Sequence, residues 1–157
     1  FYSGTVAAAR EGLIFGVPSV AVSLCRGMPD TLAPEKMWST SKEFFQKAFN
    51  HLIEEKIFSE EYLVNIGIPD IGPESVKGLK VTTQGRRFYK DSVTEQTDPR
   101  NKKYYWVGGQ YEGFEEIEGS DCVAVNNGLI SISPLKIDTT SYSDIEEIKR
   151  VETIRLS

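Results

Sequence analysis

Ser3, Gly4 and Thr5 stand directly ahead of the helix-forming run Val6-Ala7-Ala8-Ala9-Arg10-Glu11. The first backbone N–H groups of a helix have no partner inside it, and the helix dipole gathers partial positive charge at the same end. A small polar turn at that place holds a phosphate without any basic side chain. The same residues also read as plain capping, because Ser and Thr are among the preferred caps of helices in general. On these residues alone both readings stand.

The other chemistry-bearing residues narrow the choice mainly by what they lack. His51 is the single histidine and falls inside a long amphipathic segment, where it reads as a surface or packing residue. Without it no Ser-His-Asp set can be assembled. There is no H-x-x-x-H, no Asp-x-Asp and no G-x-x-x-x-G-K-[ST], so zinc-protease, phosphoaspartate and P-loop chemistry find no motif here. Glu112, Glu115, Glu116 and Glu118 lack the interspersed His or Asn and the turn spacing of a calcium loop, and read as a solvated acidic loop. Cys25 and Cys122 lie far apart with no C-x-x-C partner, which points to a reduced intracellular protein.

The elements that must position the opening turn follow from periodicity. Thr5 to about Phe15 reads as a helix stopped by Gly16 and Pro18, and Ser19–Ser23 as a short strand. After a loop from Cys25 to Ala33, Pro34 begins a helix reaching about Lys56. Its apolar positions Met37, Phe44, Phe45, Ala48, Phe49, Leu52 and Ile53 recur at helical spacing and should cover a sheet. Tyr62–Ile68 and Leu79–Thr83 read as strands. This alternation favours an α/β sandwich with a largely parallel sheet.

Phe88–Glu95 and Lys103–Gly108, joined by the turn-rich Thr97-Asp98-Pro99-Arg100-Asn101, read as a projecting β-hairpin. Tyr104, Tyr105 and Trp106 load both faces of its second arm, so the arm must pack on its own domain or on another subunit. Ser120 caps a short helix from Asp121 to about Asn127, ended by Gly128. Leu129–Leu135 reads as a strand stopped at Pro134. Ser143 and Glu146 stand at capping-box spacing, and Ile145, Ile148, Val151 and Ile154 predict a terminal amphipathic helix over about 143–156.

A chain of 157 residues, 39% hydrophobic and 26% charged, is enough for one globular domain with its own core. The net charge of −5 argues against binding nucleic acid or an acidic membrane surface. Arg10, Glu11 and Pro18 break the most apolar stretch, so no membrane span is expected. The chain opens on Phe1, and part of the domain is expected to lie before it.

Tyr2-Ser3-Gly4-Thr5-Val6-Ala7-Ala8-Ala9-Arg10-Glu11-Gly12, followed by Gly16-Val17-Pro18-Ser19-Val20-Ala21-Val22-Ser23-Leu24, resembles the second half of the SurE family of metal-dependent nucleotidases. Several further segments fall in that family's order. They are Val64–Pro69, Gly85-Arg86-Arg87, Asp98-Pro99-Arg100 with Tyr105-Trp106, Gly119-Ser120-Asp121 with Ala124-Val125, and Ser131–Leu135. The resemblance implies one Rossmann-like three-layer domain over residues 1–157, incomplete at its N-terminus. Its hairpin, about 88–108, and its terminal helix would be exchanged between subunits of a homodimer or tetramer. It implies a cytoplasmic enzyme that hydrolyses nucleoside monophosphates with a divalent metal, magnesium or manganese.

In that family paired aspartates, a serine and an asparagine hold the metal upstream of the Ser-Gly-Thr turn. No metal ligand is therefore expected in this chain, and all should precede Phe1. Only the phosphate-facing turn carries over, onto Ser3, Gly4 and Thr5. The catalytic base stays unassigned. Arg86, Arg87, Lys90, Arg100, Lys102 and Lys103 concentrate positive charge on the hairpin; Lys90, Lys102 and Lys103 read as edge-protecting charges, whereas Arg87 matches the family's arginine and stands as a substrate-side residue. Two other readings remain open: an assembly module without metal chemistry, and a phosphatase acting on polyphosphate or general monoesters.

Overall fold

A computed structural model of the chain describes residues 3–25 and 34–154. The loop expected over 26–33 and the ends of the chain lie outside the described residues, as does the side chain of Met37. Helix α1 spans Gly4–Ile14 and is followed by strand β1, Val20–Cys25. Gly16, at φ 74°, terminates the helix in a Schellman arrangement: its N–H donates to the Leu13 carbonyl, and the Val17 N–H to that of Gly12. Helix α2 runs Pro34–Glu54, and β2 covers Tyr62–Pro69. A short β3, Leu79–Val81, precedes a hairpin of β4, Arg87–Thr97, and β5, Lys103–Phe114. Helix α3, Asp121–Asn126, then leads into β6, Ile130–Lys136.

The main sheet has the order β1-β2-β6-β3. β1 and β2 are parallel, β6 is antiparallel to β2, and β3 is parallel to β6, so the sheet is mixed rather than largely parallel. The alternation of helix and strand breaks after β3, where the chain leaves the sheet for the hairpin. It returns through α3, which completes the crossover that lays β6 parallel to β3, and the antiparallel pairing falls between β2 and β6.

Side chains alternate across this sheet, and the two faces divide the core. On one face Ala48 and Leu52 of α2 pack on Val64, Ile66, Ile68 and Ile130. On the other, Ala9 and Leu13 of α1 pack on Ala21, Leu63 and Leu135. The result is a three-layer α/β/α sandwich. The apolar stripe of α2 covers its face as its spacing predicts, except for Ile53, which remains exposed. His51 is exposed on the same helix.

β6 passes through Pro134, which pairs with Val64, instead of stopping there. β3 ends opposite Ile132, so β6 is an edge strand at Pro134 and the missing N–H leaves no gap in a ladder. The hairpin is also longer than its sequence suggests, because Gly108–Phe114 continues to pair with β4. Cross-strand pairing overrides the poor strand propensity of Gly108 and Gly109. At its tip Asp98 Oδ1 accepts from the N–H groups of Arg100 and Lys102, each at 2.8 Å, and Asn101 takes φ 61°. Tyr105 and Trp106 stay more than half exposed, so this chain's own domain does not cover the aromatic arm.

The terminal segment is wound as 3-10 turn Tyr142–Asp144, a single α turn α4 at Ile145–Ile148, and 3-10 turn Lys149–Thr153. A strict i, i+3 stripe is the period of a 3-10 helix, and an isolated segment this short has little α stability of its own. Ser143 makes no capping bond to it.

Candidate functional site

The face of the sheet that carries α1 changes character along its strands. Near the end of α1 it is apolar, with Ala21, Leu63 and Leu135. Further along, the positions on the same face are Ser23 and Cys25 on β1, Asn65 and Gly67 on β2, and Ser131 and Ser133 on β6. Small and polar side chains cannot fill the space between two helices. A cleft of about 620 Å³ opens there, walled by Ser3 and Val6 of α1 and by Asp121, Cys122 and Val125 of α3. Its size is that of a small-molecule site.

The cleft floor is held by close contacts. Thr82 and Ser133 share a buried hydroxyl–hydroxyl hydrogen bond of 2.8 Å. A Cβ at Gly67 would lie 2.6 Å from Ser131 Oγ and 3.1 Å from Cys25 Sγ, so only glycine leaves the floor open. The rim is sutured at Gly85, whose N–H donates to Asp121 Oδ1 at 2.7 Å. A Cβ at Gly85 would also meet Cys122 Sγ at 2.8 Å. The Asp121 N–H in turn donates to the Thr83 carbonyl at 2.8 Å, tying the start of α3 to the segment after β3.

At the α1 wall, Ser3 is the N-cap, and its Oγ accepts from the Val6 N–H at 3.3 Å. The Ala7 N–H donates to the Ser3 carbonyl, closing the first helical turn. Among the described residues no acceptor meets the N–H of Gly4 or Thr5. Both residues are exposed, and a Cβ added at Gly4 would meet nothing within 4 Å. The opening turn therefore caps its helix and also leaves donors free; the two readings of Ser3-Gly4-Thr5 are compatible.

Arg87, the first residue of β4, lines the same cleft as Ser3. Burial opposes its charge, but hydrogen bonds to Tyr89 and Cys122 and the neighbouring Cys25 outweigh that, and its pKa is raised further above the usual arginine range. Burial pushes the Cys25 thiol up against the pull of Arg87, and burial with the Asp121 carboxylate raises that of Cys122. Both are neutral thiols at neutral pH, and neither is an activated nucleophile. Arg86 sits outside this arrangement, its guanidinium 5.7 Å from the centre of the Phe88 ring.

Sequence reasoning assigned no role in this cleft to Asn65, Tyr89, Asp121 or the two cysteines. Asn65 carries a readable signal, a polar residue two positions from Gly67 in an otherwise apolar strand. The others depend on how β4 and α3 meet the sheet. Among the described residues no three His, Cys, Asp or Glu side chains converge, and the Asp121 carboxylate is engaged by Gly85. These residues do not fit a divalent-metal site by themselves.

Comparison with known proteins bears on both fold and cleft. Residues 1–91 match the family model described as "Survival protein SurE". A "5'-nucleotidase SurE" of Chloroflexus aggregans is 38% identical over 152 residues, 96% of this chain and 58% of the relative. Its counterpart in Syntrophotalea carbinolica is 40% identical over 154 residues, 95% of this chain and 56% of the relative. The crystal structure of the SurE protein from Aquifex aeolicus superimposes with a TM-score of 0.63 at 37% identity, covering 96% of this chain and 58% of that one. The chain thus spans a little over half the length of the relatives it matches, and the matched half carries both the Ser3 turn and Arg87. By sequence and by fold, it belongs to the SurE family.

Proposed function

We propose that the complete protein hydrolyses nucleoside monophosphates to nucleoside and phosphate in a reaction that needs a divalent cation, magnesium or manganese. This chain would supply the phosphate-binding turn and the surfaces for assembly. The observation that carries the reading is the opening of the Ser3 turn and Arg87 into one cleft. The N–H groups of Gly4 and Thr5, which meet no acceptor among the described residues, lie at the positive end of α1 and are suited to the non-transferred phosphate oxygens. Arg87 adds a fixed positive charge on the substrate side. Donors already in place where charge develops supply much of the rate in phosphoryl transfer. Ligands for the cation are to be sought outside the described residues.

The exposed Tyr105 and Trp106 and the apolar stripe of Ile148, Val151 and Ile154 support assembly into a homodimer or tetramer through the hairpin and the terminal segment. Two free cysteines suit a reducing cytoplasm, and no helix among the described residues is long and apolar enough to cross a membrane.

The test is phosphate release by the full-length protein from nucleoside monophosphates, polyphosphate and simple monoesters, before and after chelation. Release from nucleoside monophosphates that stops on chelation and returns with magnesium or manganese is the expected result. No release under any condition leaves the assembly module as the surviving reading. A preference for polyphosphate or for simple monoesters makes the protein a different phosphatase.

A further inference from the structure

A nucleoside monophosphate has an anionic end and a flat aromatic end, and the cleft described above offers one group suited to each. Among its described lining residues Tyr89 is the only aromatic ring. Tyr89 and Arg87 are alternate residues of β4 and therefore lie on one side of the strand. The ring is 52% exposed although it sits at the base of the hairpin, so it is presented to the cleft rather than consumed in a core.

Three features fix the ring in that place. The pairing of β4 with β5 slips between Phe88 and Tyr89, leaving Glu112 as an extra residue on β5 and setting Tyr111 opposite Tyr89. A bulge of this kind re-aims side chains, and such bulges are frequent beside active sites. The Tyr111 ring then stands behind Tyr89, with centroids 5.8 Å apart and planes at 58°. Gly109 clears the remaining side: a Cβ there would press on Tyr89 Cβ at 3.2 Å. The ring thus has a tilted aromatic neighbour and a close-packed glycine to hold it and still stays half exposed at the cleft, as a stacking platform requires. Stacking on an aromatic ring accepts any base, since every base has a π face.

We propose that Tyr89 is the specificity-determining residue of this cleft, its ring taking the base of a nucleoside monophosphate whose phosphate lies at the Ser3 turn. The assignment rests on the nucleotidase reading above. It places the ribose between Arg87 and the sheet floor and makes the enzyme selective for phosphates that carry a base, with little preference among bases.

Ribose 5-phosphate, which keeps the sugar and the phosphate and lacks the base, separates this role from phosphate binding. In the full-length protein with its cation, kcat/KM for adenosine monophosphate should exceed that for ribose 5-phosphate by at least about fivefold, the low end of what one stacked base contributes. Tyr89→Ala should collapse that ratio toward one, chiefly through KM for the nucleotide. Tyr89→Phe, which keeps the ring and loses the hydroxyl contact with Arg87, should retain it. A ratio unchanged in Tyr89→Ala overturns the proposal; if both values of kcat/KM have fallen equally, Tyr89 acts on the phosphate through Arg87, and if neither has fallen, the ring takes no part. A wild-type enzyme that cleaves both substrates equally well overturns it and leaves the phosphatase standing, whereas one that cleaves neither removes the nucleotidase reading itself.

Discussion

Gly4 faces open space, and Thr5 beside it donates to no described acceptor. Neither residue is held where it is by packing. Proline is tolerated in the first turn of a helix because the N–H it removes has no partner inside the helix. Thr5→Pro should therefore leave the folded structure and its stability nearly unchanged while deleting one donor from the proposed anion site. A hydrogen bond to a charged group contributes about 1.5–3 kcal/mol, so the inhibition constant for inorganic phosphate should rise about tenfold or more in the complete enzyme. Unchanged phosphate inhibition would mean that these amides face water only. At this scale the turn was legible because its residue types coincide with a helix start in sequence. Tyr89 was not, since its meaning depends on a slipped pairing between strands that no local pattern announces.

The hairpin contributes little to the packing of its own domain. Its strands pair with one another, Tyr104 and Tyr105 reach no further than Gln96 and Glu95 on the facing strand, and Val107 is exposed. Apolar area left in water on one subunit is the usual material of an obligate contact. The double substitution Tyr105→Ala, Trp106→Ala should lower the sedimenting mass of the complete protein, with the circular dichroism of the α/β sandwich unchanged; an unaltered mass would show that these rings take no part in assembly. Existence and type of the elements before the terminal segment were readable from periodicity, from Ser120 before α3 and from Gly16 after α1. Their ends were not. β5 continues because β4 lies beside it, and β6 passes Pro134 because β3 has already ended. The terminal stripe had the spacing of a tighter helix all along.

For the whole molecule, the two thiols at the cleft tie stability to pH. Cys25 and Cys122 both hold their protons to higher pH in the folded protein than in the unfolded chain. Their contribution is fully present below the unfolded thiol pKa and is lost as pH rises through the folded values. Urea midpoints of the complete protein should stay level up to about pH 8 and decline from about pH 8.5 upward, where free thiols begin to ionise. Cys25→Ala combined with Cys122→Ala should flatten that decline, leaving a later fall from Tyr111, which burial shifts upward, and from Tyr142, which its hydrogen bond to the Asp138 carboxylate shifts upward. An unaltered alkaline slope in the double variant would assign the effect elsewhere. The three-layer architecture was legible from the order of elements, whereas the cleft was not: it arises where Ser23, Asn65, Gly67 and Ser131 come side by side across three strands whose mixed order the sequence does not encode locally.

Strand β4 begins at the cleft with Arg87 and Tyr89 and ends at Thr97, about 30 Å away at the usual rise of an extended strand. The β4–β5 ladder, slipped once at Phe88/Tyr89, therefore joins the group proposed to meet the substrate to the end of the hairpin proposed to meet a neighbour. A tilt of the outer end of such a beam is transmitted to its root, so a subunit gripped at the tip and a subunit alone in dilute solution would not hold the guanidinium at the same angle. Turnover per subunit is then expected to fall on dilution, before any unfolding is seen.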